Sequence, residues 1–216
     1  MNPVRILVAD DHEVVRRGVC ALLEGHAGFE VCEEAVDGRE AVEEAKRSLP
    51  DVVILDIGMP GLNGFDAARQ IRNVSPDSEV LILTMHESEQ VIREVLAAGA
   101  RGYVLKSDAG RDLITAVEAL SRHKTFFTSR VAEMVLQKYL DGNPEQVKSE
   151  ATSLTPRERE VVQLVAEGRT NKEVATTLNI SVKTAETHRT NIMRKLDCHS
   201  LSELVRYAIR NKIIDP

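Results

Sequence analysis

The sequence of 216 residues predicts an α/β unit with a doubly wound parallel sheet, joined by a linker to a small all-α unit. Two observations support this prediction. In residues 1–125, five short apolar runs alternate with segments of helical periodicity, which is typical of βαβ crossovers covering both faces of a parallel sheet. Beyond residue 153, the periodicity is helical only and the connecting loops are short.

Each element of the first unit has its own signal in the sequence. The apolar runs of strand length are Val4–Ala9, Phe29–Cys32, Val52–Leu55, Val80–Leu83 and Gly102–Leu105. Apolar residues at helical spacing predict helices around residues 14–23, 41–45, 65–71, 91–96 and 113–120. Gly99 and Gly102 fit a helix end and a tight turn before the fifth strand.

The remainder is predicted to be a helix, a linker and four more helices. The helix is Ser129–Leu140, and the polar stretch that begins Asp-Gly-Asn-Pro at residue 141 reads as the linker. The pattern S/T-x-x-E starts helices at Thr155, Thr170 and Ser200, and Ser181 is expected to cap the helix between the last two. The predicted boundaries are therefore 1–125 for the first unit, 126–152 for the linker with its helix, and 153–216 for the last unit.

Charge and composition indicate two different partners. Residues 1–125 hold 14 Lys/Arg against 22 Asp/Glu, whereas residues 153–216 hold 11 against 8, so an acidic unit precedes a mildly basic one. Three cysteines without a CxxC pair fit a reducing compartment, and no run of 18 apolar residues or signal peptide is present, so we expect a cytoplasmic protein without a membrane partner. Aromatic residues make up 3%, which disfavours folds that stack single-stranded bases.

Five polar residues stand where the predicted strands end: Asp10, Asp11, Asp56, Thr84 and Lys106. Because ligands of open α/β sheets bind outside the carboxyl ends of the strands, we expect these residues to share one crevice, here called the strand-end site. Clustered carboxylates suit Mg²⁺ or Mn²⁺, and a carboxylate can itself become an aspartyl phosphate. Lysine and threonine would then contact phosphoryl oxygens. The alternative is that the aspartates only cap the helices that follow.

The first unit resembles the receiver domain of bacterial two-component response regulators. The matching motifs are Val-Ala-Asp-Asp (8–11), Leu-Asp-Ile-Gly-Met-Pro-Gly-Leu-Asn-Gly (55–64), Leu-Thr (83–84) and Leu-Lys-Ser (105–107). The resemblance implies a flavodoxin-like (βα)5 fold with strand order 2-1-3-4-5. It also implies that Asp56 is the phosphoacceptor for a sensor histidine kinase, and that Mg²⁺ is held by Asp10, Asp11, Asp56 and the backbone carbonyl of Gly58. Thr84, Lys106 and Tyr103 would be switch residues, and Gly58 and His86 lie where receivers tune phosphate lifetime.

The last unit contains a helix, a turn at Asn179 and a second helix. On a helical wheel, Val182, Ala185, Ile192 and Leu196 fall on one face with Arg189 at its flank, and Lys183, Thr187, Thr190 and Arg194 fall opposite. A face with short polar groups and two cations suits a major groove, although an ordinary solvated face would have the same composition.

This segment resembles the LuxR-type helix-turn-helix of the NarL/FixJ regulator family. Leu-Thr-Pro-Arg-Glu-Arg-Glu-Val (154–161), Gly-Arg-Thr-Asn-Lys-Glu-Val-Ala (168–175) and Ser-Val-Lys-Thr-Ala-Glu-Thr-His-Arg (181–189) carry the similarity. The resemblance implies DNA contacts from Lys183, Thr184, Glu186, Thr187, Arg189, Thr190 and Arg194. Glu186 departs from the family, whose members often have a basic residue there.

The sequence thus predicts a transcription regulator, not an enzyme, that is phosphorylated on Asp56 and binds double-stranded DNA. Apolar residues of the last helix, starting at Leu201, suggest that it becomes a homodimer on activation, through this helix, the receiver or both, and reads inverted half-sites. One alternative is a DNA-binding regulator that works without phosphorylation. The other is a phosphatase that uses an aspartyl phosphate.

Overall fold

The computed structural model of the chain describes residues 2–85, 87–128, 131 and 154–214. The chain forms two compact units, Met1–Asp141 and Gly142–Pro216. Apart from Val131, the predicted helix Ser129–Leu140 and the predicted linker lie outside the described residues, as does His86. The boundaries 1–125, 126–152 and 153–216 therefore stay predictions.

The first unit has a five-stranded sheet in which all neighbouring strands run parallel, in the order β2-β1-β3-β4-β5. The strands are β1 (Val4–Ala9), β2 (Phe29–Ala35), β3 (Val52–Asp56), β4 (Glu79–Thr84) and β5 (Gly102–Leu105). The predicted topology is confirmed. Strand β2 is three residues longer than predicted, because Glu33 and Glu34 continue its pairing with Leu7 and Val8 of β1.

Helices cover both faces of this sheet. They are α1 (Glu13–Glu24), α2 (Gly38–Ser48), α3 (Gly64–Val74), α4 (Glu89–Ala98) and α5 (Ala109–Leu120), with a 3₁₀ turn (Lys106–Asp108) before α5. Alternate strand residues enter two different core clusters, so Leu7 packs with α2, α3 and α4, whereas Ile6 packs with α1 and α5. This two-sided core is the doubly wound arrangement that the sequence predicts.

The beginning of α3 lies directly against the end of β3. A Cβ on Gly64 would be 2.0 Å from the backbone oxygen of Asp56, so the close approach requires glycine. The amide of Gly64 donates to the Ile57 carbonyl at 3.0 Å, and Asn63 caps the helix through the amide of Asp66. The turn that follows Asp56 is therefore held in place by the helix that it leads into.

The segment after α5 returns to the sheet beside β5. The Phe126 amide donates to the Arg101 carbonyl, and the Tyr103 amide donates to the Phe126 carbonyl, both at 3.0 Å. Val131 is buried in the same core cluster as Tyr103. The chain therefore covers the outer edge of β5 as it leaves the first unit.

Within residues 154–214, the second unit has four short helices around one apolar core. The helices are α6 (Pro156–Ala166), α7 (Asn171–Thr177), α8 (Val182–Lys195) and α9 (Leu201–Arg210). Thr155 and Thr170 form reciprocal capping boxes with Glu158 and Glu173, as predicted. At α9, Ser200 caps the helix, but the Glu203 carboxylate accepts from the His199 amide. Among the described residues, no helix has the length and apolarity to cross a membrane.

Candidate functional site

The strand-end residues converge at the carboxyl edge of the sheet. Lys106 Nζ lies 2.8 Å from Asp10 Oδ2 and 3.0 Å from Asp56 Oδ1. Asp10, Asp56 and Thr84 are buried, and Asp11 is exposed at the rim. Aspartates that only cap the helices after them would not need to share ion pairs with one lysine, as Asp10 and Asp56 do. The structure therefore brings together Asp10, Asp11, Asp56 and Lys106, and Thr84 ends the neighbouring strand β4.

Burial and charge act against each other inside this cluster. Burial raises the pKa of Asp56; the Lys106 ammonium opposes this effect, and the nearby Asp10 carboxylate adds to it. For Lys106, burial works against the charged form, but its contacts with Asp10 and Asp56 outweigh burial and raise its pKa. Asp56 is thus a carboxylate that a further cation would stabilise, and Lys106 is a firmly charged ammonium.

The donors of the cluster fit a divalent cation. Asp10, Asp11, His12 and Asp56 each place a possible ligand atom within 4.8 Å of the others. Asp10 Oδ2 is paired with Lys106, and the ionised carboxylate still offers lone pairs to a cation. Carboxylate oxygens are ligands that suit Mg²⁺ or Mn²⁺. The backbone carbonyl of Gly58 is a further predicted ligand. Gly58 lies in an exposed position two residues beyond Asp56.

Two residues near the cluster were not singled out from the sequence. His12 Nδ1 is 2.8 Å from Asp11 Oδ1, and the Asp-Asp-His run was a signal that could have found it. Arg16 donates from its NH1 atom to the backbone carbonyl of Asp10 at 2.7 Å and from Nε to Glu34 Oε2 at 3.0 Å. No sequence motif used above distinguishes Arg16 from its neighbour Arg17, which is exposed.

Thr84 and Tyr103 occupy adjacent strands beside the cluster. Thr84 ends β4 opposite Leu105, and Tyr103 lies two residues earlier along β5, opposite Ile82. The Tyr103 side chain is buried, 1% exposed, and packs in the core cluster of α3 and α4. The Tyr103 ring thus lies inside the core in this structure.

The second unit presents α8 as an exposed polar helix face. Lys183, Thr184, Glu186, Thr187, Thr190 and Arg194 are exposed, whereas Ala185 and Ile192 are buried. Arg189 is half-buried, and its NH1 atom is 3.4 Å from Asn171 Oδ1. The wheel is wrong for Val182, which is 43% exposed because it stands in the first turn, beyond the reach of the core.

A depression of about 640 Å³ lies along this face of the second unit. It is lined by Asn171 of α7 and by Lys183, Glu186, Thr187, Arg189, Thr190, Asn191 and Met193 of α8. Lys183 Nζ is 3.8 Å from Glu186 Oε2, so the acidic residue partly screens the cation next to it. Five of the seven predicted DNA-contacting residues thus line this depression, including Arg189, and the other two, Thr184 and Arg194, are exposed but not part of its lining.

One family model matches the chain in each of the two units. Residues 6–118 match the family described as response regulator receiver domain, and residues 152–208 match the bacterial regulatory proteins of the luxR family. Two curated relatives are each 38% identical and are matched over 98% of this chain and 100% of their own length. They are the oxygen regulatory protein NreC of Staphylococcus carnosus and the transcriptional regulatory protein LiaR of Bacillus subtilis.

One solved structure is similar to this chain over nearly its whole length. It is RcsB from Salmonella enterica serovar Typhimurium, bound to the promoter rprA in the presence of the phosphomimetic BeF₃⁻. The identity is 28%, the TM-score is 0.60, and the match covers 95% of this chain and 98% of that one.

Proposed function

The chain belongs to the two-component response regulators that join a receiver domain to a LuxR-type helix-turn-helix, a family of DNA-binding transcription regulators, and we propose that Asp56 is its phosphoacceptor. The observation that carries the proposal is the buried cluster at the carboxyl edge of the sheet, where Lys106 contacts both Asp10 and Asp56. The site accepts a phosphoryl group to which the rest of the protein responds. The protein acts on DNA in the cytoplasm.

In the proposed reaction, an ionised oxygen of Asp56 attacks the phosphorus of a phosphohistidine on a sensor kinase. The new P–O bond forms as the P–N bond breaks, and the histidine nitrogen leaves as the carboxylate becomes an acyl phosphate. Lys106, already 3.0 Å from Asp56 Oδ1, lies where it can pair with the phosphoryl oxygens. Its raised pKa keeps it charged throughout.

Asp10, Asp11 and Asp56 are the proposed ligands of Mg²⁺ or Mn²⁺, with the Gly58 carbonyl. The ion, when bound, supplies positive charge that offsets the carboxylates and the incoming phosphoryl group. The support is the donor set, whose possible ligand atoms all lie within 4.8 Å of one another.

Thr84, Tyr103 and Lys106 are the proposed switch. A phosphoryl group adds about −1.5 to −2 charge and three acceptor oxygens, which a threonine hydroxyl and a lysine at the strand ends can both contact. Thr84 and Tyr103 stand on neighbouring strands, so a shift of Thr84 alters the space that is open to the Tyr103 ring. A change in the packing of the Tyr103 ring would then transmit phosphorylation to α4 and the surface around β5.

Recognition helix α8 is the proposed reader of DNA. Lys183 and Arg194 would contact phosphates, and Thr184, Thr187 and Thr190 offer short hydroxyls to the groove. Glu186 would accept from a cytosine amino group, and Arg189 would contact the backbone from the helix flank. The support is the exposure of this face above the buried Ala185 and Ile192.

Activation is proposed to produce a homodimer that binds inverted half-sites. In α9, Leu204 and Ala208 are buried in the core, while Leu201 remains 44% exposed, which leaves apolar surface for a second copy. This proposal does not require a second contact surface on the receiver. Sedimentation velocity is expected to show doubling of the mass after acetyl phosphate and Mg²⁺ are added, and a monomer under both conditions would contradict it.

The central experiment measures phosphorylation and DNA binding together. Wild type, Asp56→Asn and the control Asp77→Asn, which removes an exposed carboxylate elsewhere in the first unit, are treated with acetyl phosphate and Mg²⁺. Intact mass should increase by one phosphoryl group in wild type and Asp77→Asn only. Gain of the group by Asp56→Asn would refute the assignment.

Affinity for a genomic fragment selected by the wild-type protein should rise only in the phosphorylated proteins. An affinity that is the same in all samples would favour a regulator that works without phosphorylation.

A further inference from the structure

Arg16 connects α1 to the backbone of the strand-end site. Its NH1 atom donates to the Asp10 carbonyl at 2.7 Å, and its side chain is only 11% exposed. We infer that Arg16 is a positioning residue for the cation, acting through the peptide that joins Asp10 to Asp11. This inference rests on the proposed function, because it assumes that these aspartates bind Mg²⁺.

The backbone of Asp10 is held from several directions. Its amide donates to the Ala35 carbonyl of β2 at 3.2 Å, and its carbonyl accepts from Arg16. Its carboxylate accepts from the His12 amide at 2.8 Å. The orientation of the Asp10–Asp11 peptide determines the direction in which the Asp11 side chain leaves the chain. Arg16 thus supports a ligand that it does not touch.

Glu34 fixes the guanidinium of Arg16 in this orientation. Arg16 Nε is 3.0 Å from Glu34 Oε2, while the NH1 atom of the same rigid plane points at the Asp10 carbonyl. The Glu34 side chain is 50% exposed and lies on the sheet edge formed by β2. A planar fork can make both contacts at once, whereas a lysine carries a single point charge on a flexible chain.

Charge and position have opposite effects on cation binding, so an experiment can separate them. The positive charge of Arg16 repels Mg²⁺, and its loss alone would tighten binding. If Arg16 orients the ligands, its loss weakens binding, and removal of such outer partners typically costs about 10- to 100-fold in metal affinity. The direction of the change therefore identifies the role.

The test is calorimetric titration of Mg²⁺ into the full chain, with wild type, Arg16→Ala, Arg16→Lys and the control Arg17→Ala. Arg17 is the exposed neighbour on α1, and its replacement removes the same charge. Arg16→Ala should raise the dissociation constant about 10-fold or more, Arg16→Lys should restore little of the loss, and Arg17→Ala should match wild type. Unchanged or tighter binding by Arg16→Ala would overturn the inference. Absence of Mg²⁺ binding by wild type would instead overturn the proposed cation site.

A second pair of variants tests the link through Glu34 and does not require Arg16 to be changed. Glu34→Gln and Glu34→Ala remove the same charge, but only glutamine keeps an acceptor for Arg16 Nε. Glu34→Ala should bind Mg²⁺ at least about twofold more weakly than Glu34→Gln. In the Arg16→Ala background the two variants should be equal. The same difference in both backgrounds would show that Glu34 acts independently of Arg16 and would overturn the proposed route.

Discussion

Replacement of Gly64 by alanine is expected to impair the strand-end site without changing any of its polar side chains. The new Cβ would lie 2.0 Å from the Asp56 backbone oxygen and 2.9 Å from its carbonyl carbon. Real Cβ contacts essentially never fall below 3.0 Å, and both of these neighbours are backbone atoms. Either α3 or the end of β3 must therefore move by about 1 Å, because neither partner can rotate away.

The size of the effect follows from that displacement. Overpacking of this kind costs about 1–3 kcal/mol of the free energy of unfolding. A shift of about 1 Å at a reacting group costs on the order of 100-fold in rate. Phosphorylation of Gly64→Ala by acetyl phosphate should therefore be about 100-fold slower than that of wild type, although Asp56, Lys106 and Thr84 are all present.

The assay is the initial rate of mass gain by intact-mass spectrometry, together with urea unfolding of the same samples. Gly18→Ala is the matched control, because a Cβ on this α1 glycine would meet no atom within 4 Å. It should phosphorylate at the wild-type rate. If Gly64→Ala has the wild-type rate and stability, the close approach of α3 to Asp56 does not constrain the site, and the reasoning fails.

Four further outcomes are expected. Gly18→Ala should increase the free energy of unfolding by about 0.5–1 kcal/mol in urea titrations, because alanine is favoured over glycine within a helix. Burial and the Asp10 carboxylate raise the pKa of Asp56 in the folded protein above its ordinary value of 3.8. The contribution of Asp56 to the free energy of unfolding is therefore fully present below pH 3.8, and it is lost as the pH rises through the folded pKa. Metal-free Asp56→Asn should thus be more stable than wild type at pH 7 in thermal melts, with a difference that shrinks toward pH 4; a constant difference would contradict the cause. Lys106→Ala should weaken the DNA-binding response to acetyl phosphate more than it weakens Mg²⁺ binding in calorimetry, and the reverse order would show that the proposed roles are wrong. Lys183→Ala and Arg194→Ala should each reduce the slope of log affinity against log salt by about 1 in fluorescence-anisotropy titrations, whereas Lys124→Ala in the first unit should not.

The strand-end residues could be predicted because two simple rules determine their positions. Apolar runs identify parallel strands, and parallel strands bring their carboxyl ends to one edge of the sheet. The contacts of Lys106 with Asp10 and Asp56 then follow from topology. The roles of these residues remain predictions, since geometry shows proximity and not chemistry.

Features that depend on strand pairing or on the direction of a side chain could not be predicted in this way. The end of β2 was predicted too early, because Glu33 and Glu34 are of a residue type that is depleted in strands. Their pairing with β1, which the sequence does not show, keeps them in the strand. No sequence pattern separates Arg16 from its neighbour Arg17. Helix geometry turns Arg16 toward the end of β1 and Arg17 toward solvent. The wheel of α8 placed Ala185 and Ile192 correctly but could not show that the core ends before Val182.

The two edges of the sheet are protected against strand addition by different means. At β5, the chain that follows α5 occupies the edge, and Phe126 satisfies the Tyr103 amide and the Arg101 carbonyl. At β2, Glu30, Glu33 and Glu34 place charged side chains on the other edge strand, and charged residues on an edge disfavour the addition of a further strand. Both edges are thereby guarded against unplanned pairing of strands between copies. This protection leaves helical surfaces as the favoured route for the homodimer proposed above.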